Sequence, residues 1–90
     1  MKNIAIITGG ESTEREISLR SAENIKTIVS SRYAVDTFVL PEDRERFLAE
    51  KSRMSLVIPV IHGRGGEDGE VQEWLESLEV PFIFSSVAAH

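Results

Sequence analysis

The sequence predicts an α/β fold: a small three-layer unit with a parallel sheet and helices on its faces. Three observations carry that reading. Apolar, β-branched runs alternate with helical patterns along the whole chain, the connections are short, and glycine-rich turns follow the first and third runs. Such alternation implies crossovers of one hand and a strand order of 2-1-3-4.

The elements follow in order. "NIAIIT" (3–8) is an apolar strand closed by Gly9-Gly10. The spacing of Ile17, Ser21, Ile25 and Ile28, with Ala22 and Val29 beside them, predicts a helix from about Thr13 to Val29. Thr13 and Glu16 fit a capping box at its start. "YAVDTFVL" (33–40) reads as the second strand. Pro41 is placed to open a short charged helix anchored by Phe47 and Leu48. "SLVIPVIH" (55–62) is the third strand, in which Pro59 demands an edge, a bulge or an early end. "GEVQEWLESLE" (69–79) is a third helix with Val71, Trp74, Leu75 and Leu78 on one stripe, and "PFIFSS" (81–86) is a fourth strand.

Composition narrows the class. Ninety residues make a single domain, 1–90, with one modest core. The net charge of −5 argues against a nucleic-acid or anionic-lipid partner, since both want a basic face. The absence of cysteine excludes disulfides and thiolate metal sites and fits a reducing cytoplasm. The N-terminal apolar run is too short for a signal peptide, and no stretch approaches a membrane span. The closing "SSVAAH" does not complete an element, so further protein is expected beyond it.

Two loops concentrate the chemistry: "TGGESTERE" after strand 1 and "HGRGGEDGE" after strand 3. In a 2-1-3-4 sheet both leave the carboxyl edge beside one crevice, where open α/β sheets bind ligands. Neither loop is a dinucleotide fingerprint or a P-loop. Their glycines serve either tight turns or a close approach of backbone to ligand. His62 is either a ring facing the crevice or a satisfied half-buried histidine. Glu14 either favours a helix dipole or meets a ligand amine. Arg64 either pairs with an anion or is solvated, and Asp68 reads as the N-cap of the third helix. No His/Asp/Glu set has metal-ligand spacing. Trp74 is assigned to the core and "EDRER" to a solvated face.

Taken together, "IAIITGGESTEREISLRSA" (4–22) and "VIPVIHGRGGEDGEVQEWLESLEVPF" (57–82) resemble the N-terminal domain of the D-alanine–D-alanine ligases. Gly9, Gly10, Ser12, Glu14 and Ser18 fall on the family's first motif, G-G-x-S-x-E-x-x-x-S. His62, Gly63, Gly66, Glu67, Asp68, Gly69 and Gln72 fall on its second, H-G-x-x-G-E-D-G-x-x-Q. The resemblance implies a Rossmann-like, pre-ATP-grasp fold. It also implies a share in the first D-alanine site of an enzyme that makes the dipeptide for peptidoglycan with ATP and Mg²⁺. On that likeness Glu14 is the catalytic-site carboxylate, holding the substrate ammonium. Ser18, His62 and Gly63 complete the substrate contacts, with His62 near the substrate carboxylate. Gly9, Gly10, Gly66, Glu67, Asp68 and Gly69 support the loops. ATP and Mg²⁺ would be held by domains absent from this chain, so the 90 residues alone are expected to be inactive. The implied partners are D-alanine, the rest of a ligase chain and a second copy in a homodimer. Two departures stand out: Phe82 replaces the family's Tyr and Phe84 takes a Gly position. The rival readings are a stand-alone binding module for an amino acid or small anion, and a dimerisation unit.

Overall fold

The computed structural model describes residues 2–10, 15–60 and 70–83, without the side chains of Glu70 and Gln72. The element order is β1 (Asn3–Gly9), α1 (Arg15–Val29), β2 (Ala34–Leu40), α2 (Arg44–Glu50), a 3₁₀ turn (Lys51–Arg53), β3 (Leu56–Pro59) and α3 (Glu70–Ser77). The sheet is parallel with order β2-β1-β3. The fourth position is marked by one parallel bridge, Val57 to Phe82, held by Val57 N–H to Pro81 O at 2.9 Å and Ile83 N–H to Val57 O at 3.0 Å. The expected α/β class and the 2-1-3 order are therefore observed. The rest of the expected fourth strand, 84–86, lies outside the described residues.

Side-chain alternation along β1 divides the core between two faces. Ala5 and Ile7 join Phe38, Phe47, Met54, Val57, Val71 and Leu75, with Trp74, Leu78 and Phe82 packed against them. This face carries α2 and α3. Ile6 joins Ala22 and Val60 on the other face, with Ile25, Val35 and Ile58 alongside. That face carries α1. Phe38 and Phe47 meet edge-on at 5.2 Å between ring centres, and Trp74 lies 5.5 Å from Phe47. Trp74 and its stripe are core, as expected.

Two expectations need correction and a third is narrowed. The buried stripe of α1 is not centred on the isoleucines. Ser18 and Ala22 are buried, while Ile17 is 52% and Ile28 72% exposed. The helix is turned by roughly 70–80° from the expected face, less than one residue step. Ser18 and Ala22 are small, which lets the helix axis lie close to β1; isoleucines there would hold it off. Second, Pro41 does not open α2. It sits in a turn three residues before Arg44, and the Leu40–Pro41 peptide is cis. Asp43 closes that turn. Its N–H donates to Val39 O at 2.7 Å and its carboxylate accepts from Val39 N–H at 2.8 Å, so the chain bends straight out of β2. Third, β3 ends early, at Pro59, one of the outcomes its proline allowed. The ladder reaches one residue further, with Val60 N–H donating to Ile7 O at 2.6 Å. Thr13 of the expected capping box lies outside the described residues; Glu16 pairs with Arg20 one turn on, at 3.1 Å.

Candidate functional site

The site is built at the carboxyl edge of the sheet. Gly9 stands opposite Leu40, and Ile7 opposite Pro59. The chain therefore leaves β1, β2 and β3 at one edge, with β1 in the middle. Helix α1, after β1, lies on one face, and α3, after β3, lies with α2 on the other. The switch point therefore falls between the neighbouring strands β1 and β3.

The first turn has a physical need for its glycines. Gly9 and Gly10 both have positive φ, 104° and 109°, a region L side chains rarely adopt. A Cβ on Gly9 would also collide with the Leu40 backbone. With no side chain there, Gly10 N–H reaches Leu40 O at 3.1 Å. The end of β1 is thus pressed onto the end of β2.

Ser18 is fully buried in the first half of α1. Thr8, one residue before the glycines, is also fully buried, and its hydroxyl has no hydrogen-bond partner among the described residues. Of the residues expected at the site, the structure describes Gly9 and Gly10 at the end of β1 and Ser18 on α1. Glu14, His62, Gly63, Gly66, Glu67, Asp68 and Gly69 lie outside the described residues, as do Arg64 and the side chain of Gln72.

Two residues were missed by sequence reasoning. Arg15, at the start of α1, donates through Nη1 to Gly10 O at 3.1 Å and Leu40 O at 3.2 Å. It also grips both carboxylate oxygens of Glu42, with Nη1 to Oε1 at 3.2 Å. The Arg15 hydrogen bond, helped by a backbone donor of its own residue, holds the Glu42 carboxyl below the usual carboxylate range. "EDRER" was expected to be only solvated. It is largely exposed, but Glu42 pairs with Arg15, and Arg46 reaches Asp36 at 3.2 Å, Asp43 at 3.6 Å and Glu50 at 3.5 Å. No sequence spacing signals the Arg15–Glu42 pair; only the β2-β1 pairing brings positions 27 apart into contact.

Two strand ends, a glycine-pressed turn and a switch point define an α/β unit of the kind that carries ligand sites at its carboxyl edge. The comparisons place it among relatives. No protein-family model matches the chain. It is 38% identical over 85 residues to a D-alanine–D-alanine ligase of Syntrophobacter fumaroxidans, covering 93% of this chain and 27% of that protein. It is 40% identical over 90 residues to a ligase of the same name from Coprothermobacter proteolyticus, covering 97% of this chain and 29% of that one. Among solved structures, a Bacillus anthracis D-alanine–D-alanine ligase complexed with ATP superposes with a TM-score of 0.76 at 28% identity, covering 91% of this chain and 28% of that one. D-alanyl-alanine synthetase A from Vibrio cholerae gives 0.77 at 28% identity, covering 91% of this chain and 30% of that one. The chain is a relative of the D-alanine–D-alanine ligases in their N-terminal region, and spans under a third of the length of the relatives it matches.

Proposed function

We propose that these residues form the N-terminal substrate domain of a D-alanine–D-alanine ligase and supply part of its first D-alanine site. The observation that carries the reading is the convergence of the β1 turn and the β3 exit at one sheet edge, in a chain similar to such ligases over almost all its length. In this reading Glu14 holds the substrate ammonium, His62 lies near the substrate carboxylate with Gly63, and Ser18 supports the β1 turn from beneath. Gly9 and Gly10, with Gly66, Glu67, Asp68 and Gly69, support the two loops. A carboxylate is the right partner for an ammonium, since each favours the charged form of the other.

ATP and Mg²⁺ belong to the remainder of the native polypeptide. When bound, ATP would activate the first D-alanine's carboxylate for attack by the second amine. The residues of this chain only bind and orient the first D-alanine, so the 90 residues alone turn nothing over. The product is a peptidoglycan precursor and the setting is the cytoplasm. Among the described residues no helix is long and apolar enough to cross a membrane.

The test starts from an antibody raised against the 90 residues. The native polypeptide it detects is expected to be about three to four times as long as this chain, given a share of 27–29% in the relatives. Purified, it should release ADP only when D-alanine is present. A native product of 90 residues, or ADP release indifferent to D-alanine, would overturn the reading. The same reading includes a homodimer. The outward Ile17 and Ile28, eleven residues apart on one face of α1, favour a second copy there. A strictly monomeric sedimentation profile would remove that part.

A further inference from the structure

We infer that Arg15 is a positioning residue for the amino-acid subsite, bracing the β1 turn against the end of β2, with Glu42 as the group that aims it. The inference rests on the function proposed above. Arg15 is only about one-third exposed, at 32% of its side chain, although it opens a helix at the molecular surface. Its guanidinium meets acceptors from three segments: Gly10 O after β1, Leu40 O at the end of β2, and the Glu42 carboxylate in the following turn. The Leu40 carbonyl accepts from both Gly10 N–H and Arg15.

The backbone at position 10 is tied through its carbonyl to the side chain at position 15. Glu14 is the covalent neighbour of Arg15 in the sequence. A guanidinium can serve several acceptors at once because its five N–H donors lie in a fixed fork; a lysine offers one compact charge on a flexible stem. Nη1 is shared among Gly10 O, Leu40 O and Glu42 Oε1, while Nη2 donates to the other Glu42 oxygen and so fixes the plane of the fork. Arg15 touches no substrate in this scheme. It acts through Gly10 and Glu14.

Kinetics of the native polypeptide test the role. Arg15→Met is expected to raise the KM for D-alanine by about 10- to 100-fold, the effect of displacing a binding group by about an ångström, while the KM for ATP stays within about twofold. Arg15→Lys should recover only part of that loss. Glu42→Gln, at a 60% exposed side chain that tolerates change, should raise the D-alanine KM by about two- to fivefold. A folded Arg15→Met variant with an unchanged D-alanine KM would overturn the inference. So would D-alanine and ATP constants that rise together.

A second measurement needs no turnover. In the 90-residue chain, the Gly10 amide resonance should titrate with the Glu42 carboxyl, at a pH below the usual carboxylate range, and Glu42→Gln should abolish that titration. A Gly10 amide blind to Glu42 would overturn the brace. Absence of D-alanine-dependent turnover in the unmodified polypeptide would instead overturn the functional reading and the subsite role, while a Gly10 titration would still establish the brace.

Discussion

The two faces of the sheet are built differently. The face under α2 and α3 is aromatic and thick, with Phe38, Phe47 and Trp74 in mutual contact over Val57 and Leu75. The face under α1 is thin, with Ala22, Ile6 and Val60 at its centre, and the two buried hydroxyls are Thr8 and Ser18. Apolar burial, the main stabilising term, is thus concentrated on one face. The small residues of the thin face let α1 lie close to β1.

The largest effect should come from the thick face. Phe47 is fully buried and makes both ring contacts. Phe47→Ala should cost about 3–5 kcal/mol, enough to unfold much of a small domain at 37 °C, and urea titration followed by Trp74 fluorescence measures it. A loss under about 1 kcal/mol would mean that the two faces share the stability evenly. Next comes the seam between strands. Gly9→Ala would place a methyl against the Leu40 backbone at φ 104°. The expected cost is about 2–4 kcal/mol, from the left-handed conformation and the overpacking together. Unlike Phe47→Ala, it should also displace the Gly10 and Leu40 resonances.

On the thin face the sign reverses. Thr8 carries a fully buried hydroxyl with no hydrogen-bond partner among the described residues. Thr8→Val keeps the shape and removes the unpaired group, and should stabilise the fold by about 1 kcal/mol, visible as a higher urea midpoint. Destabilisation of that size would show that the hydroxyl is paired in solution, and that the thin face is as well satisfied as the thick one.

The faces also differ in how far the sequence reveals them. The α3 stripe of Val71, Trp74, Leu75 and Leu78 was legible because large apolar residues at helical spacing have one place to go. So were the strands, their parallel pairing and the switch point, since alternation and short connections leave few topologies. The α1 face misled because hydrophobicity pointed to Ile17 and Ile28, whereas the fold buries Ser18 and Ala22. Close helix–strand packing is decided by size, and a hydrophobic pattern does not report size. Pro41 misled for a similar reason: Asp43 satisfies Val39 N–H and captures the chain in a turn that a proline-first helix would not allow. At the site, Gly9 and Gly10 announced a left-handed turn. Glu14, His62 and the second loop rest on motif resemblance and homology, outside the described residues. Arg15 and Glu42 were invisible, since their meeting depends on the register that sets Gly9 opposite Leu40.

That pair supplies the smallest expected effect and the most specific one. The Glu42 carboxyl is held below the usual carboxylate range, first by its hydrogen bond from Arg15. A folded-state pKa below the unfolded one stabilises the fold above the unfolded value, and the contribution disappears as pH falls through the folded value. The unmodified chain and Glu42→Gln should therefore differ most in urea midpoint near neutral pH and converge in acid, below the usual carboxylate range. The pair is exposed, so salt should shrink the neutral-pH difference. A difference that persists unchanged into acid would mean that Glu42 acts through its shape rather than its charge. The brace at the carboxyl edge would then be neutral packing, and the two faces would differ only in thickness.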